Sequence, residues 1–423
     1  MNLKVCFLTL GCKVNQCEAD SLATIFEQKG YQILNKLEPA DAYVLSTCAV
    51  TNLAERKSRQ MIAKIKKIAP NSIIYVCGCA SQKQPNQFKN LANVIVGASN
   101  KILIFEQVEK QINNNLNSKI NPIQVYENLP FPRQNTLRPH LKIQDGCNNF
   151  CSYCIIPYLR GQSRSRDFED CINEATQMAK LGAKEIVITG IDVSDFKNKN
   201  KFALGKLIAQ LDNLNVRIRL SSLEVGVVTS EFIEQTKNCK NFCPHFHLSL
   251  QSGCDSVLKK MNRKYTTQQY YNAVQKLRQS YTNASITTDV IVGFPTETDG
   301  DFEQTLSFCK KVGFAKMHIF PYSKRDGTVA SKWGTLDGKV VKQRIKNLAK
   351  LDKKMALKFA KSSIGQVHEV LIEKSIKGVA QGYTKNYLYV QVNAELKHDD
   401  IAQIKIVKVQ DEKTPQIFAE LLK

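Results

Sequence analysis

The sequence predicts an α/β protein in three parts, and three observations carry that prediction. Up to about residue 125, short β-branched runs alternate with helical stretches, which is typical of a doubly wound parallel sheet. Six further strand candidates alternate with helices up to residue 361, which predicts a partial (βα)6 barrel. From residue 362 to 423, short strands follow one another with turn residues between them, which predicts a small antiparallel β-barrel. We therefore expect domains at 1–125, 126–361 and 362–423.

The charge balance of the chain is strongly basic. Its 423 residues include 60 lysines and arginines against 38 acidic residues, a formal net charge of +22 at pH 7. Such an excess either keeps a protein soluble or indicates a polyanionic partner such as nucleic acid. No apolar stretch reaches the ~18 residues of a membrane span, and the first residues are typical of a strand, not of a signal peptide. We expect a cytoplasmic protein without a membrane partner.

The N-terminal part contains four mostly continuous apolar runs, as buried parallel strands do. These runs are residues 3–10, 41–47, 72–78 and 93–97. Helical patterns lie between them at 18–30 and 54–70, and they end at Gly30 and Pro70. The Asn- and Pro-rich segment 113–136 has no period and is predicted to be a linker.

The central part repeats the alternation of strands and helices. Its strand candidates are residues 140–144, 185–190, 216–222, 246–253, 286–295 and 316–323. An amphipathic helix at 338–363 then presents one apolar stripe, which favours packing on the barrel, with RNA binding as the alternative. The last strand candidates are residues 365–373, 378–392 and 401–410.

Three of the fourteen cysteines form a C-x3-C-x2-C pattern directly after the first barrel strand, where βα barrels place their chemistry. We call Cys147, Cys151 and Cys154 the loop triad. In a reducing compartment, clustered cysteines indicate a metal site or catalysis before disulfides. Structural zinc takes four ligands, and no nearby histidine completes this set. A [4Fe–4S] cluster on three thiolates keeps one iron open, so the spacing favours a cluster, with zinc or chance as the alternatives.

A second group of cysteines follows three strands of the N-terminal part. Cys12, Cys48 and Cys79, the strand-end triad, are spaced by about one βα unit each. The carboxyl ends of parallel strands meet around one crevice, so these thiols could converge on a second cluster. Buried structural cysteine is the alternative. Cys77 is a substitute candidate for Cys79, because alternate residues of a strand point the same way.

These motifs resemble known families. The C-x3-C-x2-C loop resembles the radical S-adenosylmethionine (SAM) enzymes. TLGCKVNQCEADSL, STCAVTNLAERKSRQ and CGCASQ, followed by DGCNNFCSYCIIPYLRGQSRSR, are similar to the methylthiotransferase family of that superfamily. The terminal barrel with GYTKNYLYV resembles that family's TRAM domain, an RNA-binding module. GCKVNQ and TKNY are most similar to the branch acting on N6-threonylcarbamoyladenosine at position 37 of tRNA.

The resemblance implies an enzyme that adds a methylthio group to C2 of this adenine in the anticodon loop of tRNA. It implies two [4Fe–4S] clusters: one on the loop triad, which cleaves SAM, and an auxiliary one on the strand-end triad. One SAM would donate a methyl group to a sulfur on the auxiliary cluster, and another would supply the radical that abstracts hydrogen. The cofactors carry this chemistry, so no side chain is expected as a catalytic residue. A reductant such as flavodoxin or ferredoxin and a sulfur donor complete the implied partners.

The resemblance also implies SAM contacts. SSLE and LSLQSG are similar to segments that line the SAM site, which implies contacts from Glu224 and Gln251. Asp192 follows the second barrel strand, where amide or imidazole side chains are frequent in the family. Val225 and Ala80 are two further departures, standing where proline and tyrosine are frequent. These departures concern the SAM contacts and leave the cysteine triads unaffected.

Basic and aromatic residues suggest where RNA binds. Arg160, Arg164 and Arg166 follow the loop triad, and we expect them to bind phosphate or the SAM carboxylate, with ion pairing along a helix as the alternative. In the terminal barrel, lysine and tyrosine alternate in a pattern that suits stacking with loop RNA. The tyrosines concerned are Tyr383, Tyr387 and Tyr389.

Three other functions compete with this reading. A second branch of the family acts on N6-isopentenyladenosine in tRNA, and only short motifs separate it from the first. A third branch modifies an aspartate of a ribosomal protein, but such proteins are usually basic and would repel a chain of charge +22. The chain could also be a non-catalytic iron–sulfur protein that binds RNA, which would not turn SAM over.

Overall fold

The computed structural model describes residues 3–110, 125–132, 137–412 and 414–422. Over these residues the chain forms an N-terminal parallel sheet, a central open βα barrel and a C-terminal closed barrel, which confirms the predicted fold class. The predicted linker at 113–136 lies mostly outside the described residues. None of the described helices is both long and apolar enough to cross a membrane.

The N-terminal domain is a five-stranded parallel sheet with helices on both faces. Its strands are β1 (Lys4–Thr9), β2 (Gln32–Leu34), β3 (Ala42–Thr47), β4 (Ile73–Gly78) and β5 (Val94–Ile95). Its helices are α1 (Lys13–Gln28), α2 (Asn52–Ile68), α3 (Cys79–Lys83) and α4 (Ile102–Lys110). The strand order is β2-β1-β3-β4-β5, so the chain winds outward from β1 in both directions.

Burial explains why the N-terminal strands are predictable and where the prediction is incomplete. All six residues of β3 are buried, as expected for a strand covered on both faces. Strand β2 is absent from the sequence prediction because its three residues are only partly buried and lie at the sheet edge. Helix α1 begins five residues before the predicted start at residue 18, because Val14 and Cys17 already pack inward.

The central domain contains the six predicted strands, the third of which is interrupted. The strands and the two small hairpins beside them are β6 (His140–Lys142), β7 (Gln144–Asp145), β8 (Arg164–Ser165), β9 (Glu185–Thr189), β10 (Lys197–Asn198), β11 (Lys201–Phe202), β12 (Arg217–Leu220), β13 (Ser222–Leu223), β14 (His245–Leu248), β15 (Ser285–Val292) and β16 (Lys316–Pro321). The helices are α5 (Ile156–Arg160), α6 (Phe168–Lys180), α7 (Leu204–Leu211), α8 (Ser230–Thr236), α9 (Asp255–Lys260), α10 (Thr267–Ser280), α11 (Asp299–Val312) and α12 (Gly338–Ser362).

All barrel strands run parallel in chain order. Strands β6, β9 and β12 form one sheet, and β13, β14, β15 and β16 form the next. The chain passes from the first sheet to the second at Ser221, between β12 and β13. In the described part of the chain, β6 and β16 are the open edges. Helix α12 packs on this barrel through Leu348 and Met355, as its apolar stripe predicts.

The C-terminal domain is a closed five-stranded barrel. Its strands are β17 (Val367–Ile376), β18 (Val379–Thr384), β19 (Tyr389–Asn393), β20 (Ile401–Gln410) and β21 (Gln416–Leu421). The barrel order is β17-β18-β19-β21-β20. Four of these pairings are antiparallel as predicted, while β19 and β21 pair in parallel, because β20 crosses to the far side before β21 returns.

Two buried arginines of the central barrel hold the C-terminal barrel in place. Arg217 Nε donates to Glu369 Oε1 at 2.8 Å, and its Nη1 donates to the carbonyl of Tyr383 at 3.0 Å. Arg219 Nη1 donates to the carbonyl of Lys385 at 3.0 Å while its other nitrogens bind Glu185. Charge-assisted bonds to buried groups resist separation, so the two barrels form one packed unit.

The closure of the C-terminal barrel gives a stability prediction. A Cβ on Gly382 would lie 1.9 Å from the carbonyl oxygen of Leu371 on the paired strand, so Gly382→Ala forces β17 and β18 apart. We expect a loss of about 2 kcal/mol or more, by analogy with overpacked cores, read as a lower thermal midpoint. The control is Gly300→Ala in α11, where the added Cβ meets its nearest atom at 3.9 Å. Equal midpoints for both variants would contradict the tight pairing.

Candidate functional site

The loop triad lies in a short, tied loop after the first barrel strand. The antiparallel pairing of β7 with β8 closes this loop at its base. Inside it, the Cys147 N–H donates to the carbonyl of Gly161 at 3.1 Å, and the Cys154 N–H donates to that of Cys151 at 2.9 Å. The Ser152 N–H reaches across to the carbonyl of Met261 at 3.0 Å, which fixes the loop against the end of α9. The three thiols are therefore held on one ordered turn.

Two N–H donors point at sulfurs of the loop triad. The backbone N–H of Asn149 donates to Cys147 Sγ at 3.4 Å, and Arg263 Nη1 donates to Cys151 Sγ at 3.3 Å. Burial raises the pKa of both Cys147 and Cys154 to about 12. Without a metal these two thiols stay protonated at neutral pH, and metal binding releases their protons.

The strand-end triad collects at the carboxyl ends of three adjacent strands, as the sequence predicts. Cys12 precedes α1, Cys48 follows β3 and Cys79 is the first residue of α3. Gly11 allows the first two to approach: it has a φ of +137°, and a Cβ there would lie 2.8 Å from that of Cys48. Any side chain at this position would push the Cys12 and Cys48 loops apart.

N–H donors also point at sulfurs of the strand-end triad. Arg160 Nε donates to Cys79 Sγ at 3.4 Å, and the Val50 N–H donates to Cys48 Sγ at 3.5 Å. Burial raises the pKa of Cys48 to about 11, and it also raises that of Cys79, although the Arg160 charge opposes it. A cationic donor beside a buried sulfur lowers the free energy of the thiolate, which is the form that binds metal.

Cys77 does not share this position, so the suggestion that it could replace Cys79 is wrong. Cys77 lies within β4 and packs with Tyr75 and Val94 on one face of the sheet. Cys79 lies beyond the strand, at the start of α3, and packs in the core of the other face. The rule of alternating strand residues fails here because the strand ends at Gly78.

Arg160 is the centre of a buried ion network between the N-terminal domain and the barrel. Its side chain is fully buried, and all five of its N–H donors have acceptors. It binds both oxygens of Glu18, at 3.0 and 3.1 Å, and Asp145 Oδ1 at 3.0 Å. It also binds Asn15 Oδ1 at 2.7 Å.

Two lysines complete this ion network. Lys142 Nζ lies 2.6 Å from Glu18 Oε1 and 2.8 Å from Asp145 Oδ2, and Lys101 Nζ lies 3.0 Å from Glu18 Oε2. Burial alone would raise the pKa of Glu18, but Arg160, Lys101 and Lys142 hold it well below its usual range. The carboxylates are thus ionised, and the network is a set of true ion pairs.

The prediction that the three arginines bind phosphate or SAM is therefore wrong for Arg160 and Arg166. Arg166 is buried and pairs with Glu174. Arg164 Nη1 donates to the carbonyls of Arg160 and Gln162 at 2.6 and 2.9 Å, so it fastens the loop that follows the triad. The alternative prediction, ion pairing, describes these side chains. The pairs tie domains together, however, and do not run along one helix face.

Asp192 and Glu224 lie beside the loop triad, and Gln251 does not join them. Asn149 Nδ2 donates to Asp192 Oδ2 at 2.9 Å, while Asp192 Oδ1 is buried without a hydrogen-bond partner among the described residues. Burial, with the Glu224 charge second, raises the pKa of Asp192 to about 6. Gln251 uses its backbone to pair with β15 and borders neither of the cavities beside Glu224.

Two cavities meet at Glu224. One of about 450 Å³ is bordered by Asn149, Cys151, Glu224 and Arg263, and one of about 490 Å³ by Asn149, Asp192 and Glu224. Each has the volume of a small-molecule site. Asp192 and Glu224 therefore border space that a polar cofactor can fill.

Arg263 is a site residue that sequence reasoning missed. It donates to Cys151 Sγ, pairs with Glu224 and donates from Nε to the hydroxyl of Tyr265 at 3.1 Å. It lies over 100 positions after the triad, in the turn between α9 and α10. No motif or spacing marks it, so only the fold reveals its contact with the cysteine loop.

A third cavity, of about 870 Å³, lies where the three domains meet, and we call it the junction cavity. It is bordered by Gly11 and Lys13 beside the strand-end triad, by barrel residues, and by Tyr383, Tyr387 and Tyr389 of the C-terminal barrel. The Tyr387 ring stacks on His245 at 4.6 Å and on Tyr383 at 4.4 Å. Tyr383 and Tyr387 thus line this cavity, and the stacking of these tyrosines on RNA stays a prediction.

The donor set fits an iron–sulfur cluster better than a single ion. Zinc would require thiols about 4 Å apart, and no three His, Cys, Asp or Glu side chains in the described ranges converge to hold a single ion. A cluster of four irons and four sulfides spans a larger volume. Both triads offer thiolate ligands with N–H donors aimed at sulfur, the environment such clusters use.

Comparisons with known proteins agree with this geometry. Residues 141–309 match the Radical SAM superfamily, and residues 4–97 match a family described as "Uncharacterized protein family UPF0004". The threonylcarbamoyladenosine tRNA methylthiotransferase MtaB of Bacillus subtilis (strain 168) is 37% identical, over 96% of this chain and 94% of that protein. This chain belongs to the radical SAM methylthiotransferase family. The predicted family is confirmed.

Further comparisons place the chain within that family and its fold. The tRNA-2-methylthio-N(6)-dimethylallyladenosine synthase of Thermodesulfovibrio yellowstonii (strain ATCC 51303 / DSM 11347 / YP87) is 32% identical over 95% of each chain. A structure of the radical SAM methyltransferase TsrM from Kitasatospora setae, with cobalamin and a [4Fe–4S] cluster bound, superposes with a TM-score of 0.57 at 12% identity. It covers 90% of this chain and 81% of that one, which shows a shared fold and no more.

The ion network yields a prediction for this methylthiotransferase. Arg160→Met leaves Glu18 and Asp145 buried with their main partner removed, and breaking such a pair costs about 3 kcal/mol or more. We expect a clearly lower midpoint of chemical unfolding. The control is Arg59→Met, which removes a contact at 2.9 Å from a partly exposed arginine to Gln87. If both variants unfolded alike, the network would not be what joins the domains.

Proposed function

We propose that this chain adds a methylthio group to C2 of N6-threonylcarbamoyladenosine at position 37 of tRNA. The observation that carries the proposal is the placement of two cysteine triads on either side of one domain junction, linked by Arg160. MtaB relatives in Bacillus subtilis, Aquifex aeolicus and Thermotoga maritima, at 35–37% identity over at least 90% of this chain, carry the same activity in their names.

We propose that the loop triad binds the SAM-cleaving [4Fe–4S] cluster and the strand-end triad binds an auxiliary [4Fe–4S] cluster. When bound, these groups and SAM supply the radical chemistry and the transferred sulfur that an unactivated aromatic C–H requires. Arg263 and the Asn149 N–H would stabilise thiolates of the first site, and Arg160 and the Val50 N–H those of the second. An electron donor such as flavodoxin or ferredoxin and a sulfur source would complete the system.

SAM would occupy the space around Glu224. Asp192 and Glu224 present carboxyl oxygens to the two cavities beside the loop triad. Carboxylates at these two positions can accept hydrogen bonds from an ammonium or ribose hydroxyl group. Arg263 would keep Glu224 oriented, because it binds that carboxylate and the Cys151 sulfur at once. Gln251 is not proposed as a contact, since it borders neither cavity.

The junction cavity would receive the modified base. It extends from Gly11, next to Cys12, along the barrel wall to the C-terminal barrel. A flipped nucleoside fits within about 870 Å³. The net charge of +22 supports binding of the surrounding tRNA, and a tRNA substrate would place the enzyme in the cytoplasm. The ribosomal-protein and non-catalytic alternatives are not favoured, because the relatives above carry tRNA modification in their names.

Iron content tests the two cluster sites separately. Cys79→Ala and Cys147→Ala should each lose about half of the iron of a chain that holds two four-iron clusters. SAM cleavage should survive in Cys79→Ala and vanish in Cys147→Ala. Cys77→Ala and Cys171→Ala are matched controls, buried cysteines of the same two domains outside the triads. Loss of iron in the Cys77→Ala control equal to that in Cys79→Ala would reject the assigned set.

Nucleoside mass spectrometry tests the reaction. In cells lacking this gene, methylthio-threonylcarbamoyladenosine should disappear from total tRNA and the unmethylthiolated form should accumulate. Re-expression of the chain should restore it, and re-expression of the Cys147→Ala variant should not. Loss of methylthio-isopentenyladenosine instead would assign the chain to the other tRNA branch. No change in either nucleoside would reject a tRNA substrate.

A further inference from the structure

The junction cavity carries an uneven set of charges. Its lysines and arginines are Lys13, Arg219 and Lys316. Arg219 is neutralised by Glu185, with bonds of 2.6 and 3.0 Å, and Lys316 pairs with Asp352. Lys13 Nζ has no hydrogen-bond or ion-pair partner among the described residues, so it is the cavity-lining lysine left without a counter-ion.

The other polar groups of the cavity do not compensate Lys13. His247 Nε2 lies 3.3 Å from Asp289 Oδ2, so the acidic residue of the lining contacts this imidazole and, within the described residues, forms no ion pair with Lys13. His245 Nδ1 is buried without a partner among the described residues, while its Nε2 shares Thr287 Oγ1 at 3.2 Å. Among the described residues, the cavity therefore offers the unpaired cation of Lys13, which suits a ligand that carries an anionic group.

The position of Lys13 relates it to the reacting carbon. It directly follows Cys12 in the strand-end triad, so its ammonium lies within a side-chain length of the proposed auxiliary cluster. In adenine, C2 and the N6 amino group flank N1 on a single edge of the ring. A substituent on N6 is therefore brought near Cys12 and Lys13 when C2 approaches a sulfur beside Cys12.

The two substituents at issue differ in charge. A threonylcarbamoyl group ends in a carboxylate and a hydroxyl, whereas an isopentenyl group is apolar and uncharged. A carboxylate would pair with Lys13 in a charge-assisted contact, whereas an isopentenyl group offers that ammonium no partner. The motifs GCKVNQ, which contains Lys13, and TKNY, which contains Tyr387, lie over 370 positions apart in the chain, yet both border this cavity.

We propose that Lys13 binds the carboxylate of the threonylcarbamoyl group and so selects this nucleoside over the isopentenyl one. The proposal rests on the proposed function and names the residue that sets its substrate. Lys13 is a specificity residue, and the ring of Tyr387, which stacks on His245 and Tyr383, borders the same cavity.

The test uses the reconstituted holoenzyme and three anticodon hairpins that differ only at position 37. One carries threonylcarbamoyladenosine, one carries its methyl ester, which removes the charge and keeps the shape, and one carries isopentenyladenosine. Hairpin binding by fluorescence anisotropy and the single-turnover rate of methylthiolation are both measured. For the wild-type enzyme we expect the acid to bind about tenfold or more tightly than the ester, as for a charge-assisted contact.

The variants separate charge from shape. Lys13→Gln should bring the acid-to-ester ratio close to one, and Lys13→Arg should retain most of it. Lys29→Gln, which removes an exposed lysine at the other end of α1, should behave as the wild type. Iron content and SAM cleavage without RNA should be unchanged in all three variants, which verifies that they are folded and loaded.

The outcomes distinguish the inference from the function on which it rests. If Lys13→Gln keeps the wild-type preference for the acid while the wild type methylthiolates the acid hairpin, the proposed function stands and the role of Lys13 is wrong. If the wild type methylthiolates only the isopentenyl hairpin or none of the three, the proposed function itself is overturned. A tenfold preference that disappears only in Lys13→Gln supports both.

Discussion

The buried ion network around Arg160 is the constraint on which the rest of the structure depends. One guanidinium, at the end of the loop that carries one cysteine triad, binds Glu18 and Asp145 and donates to the sulfur of Cys79 in the other triad. A full set of five donors fixes its orientation in a way that a lysine could not. Arg160 therefore couples the positions of the two triads across the domain junction.

The junction between the central barrel and the C-terminal barrel shapes the junction cavity. Arg217 and Arg219 hold the C-terminal barrel against the central barrel. The ring of Tyr387 adds to this contact by stacking on His245. A domain that resembles an RNA-binding module thus also builds the wall of the internal cavity. The position of the C-terminal barrel therefore helps to set the shape of that cavity.

Features that depend on local sequence are predictable here, and features that depend on distant partners are not. The barrel strands and both cysteine triads follow from continuous apolar runs and from the rule that parallel strands end at one edge. The role of Arg160 is misjudged because its partner Glu18 lies 142 positions away. Arg263 is missed for the same reason. The role of Cys77 is misjudged because the sequence pattern does not show that β4 ends at Gly78, before Cys79. The break at Ser221 likewise depends on packing between sheets.

The charge of the network also explains why an anionic group belongs beside it. At its centre, Arg160, Lys101 and Lys142 face two carboxylates, those of Glu18 and Asp145, which leaves one positive charge in excess. At its rim, Arg164 near Asp145 and Glu127 near Lys101 cancel each other. An unbalanced buried charge is costly, and Arg160 directs its remaining donor at Cys79. Thiolates on a bound cluster would supply the missing negative charge, so cluster loading and domain docking stabilise each other.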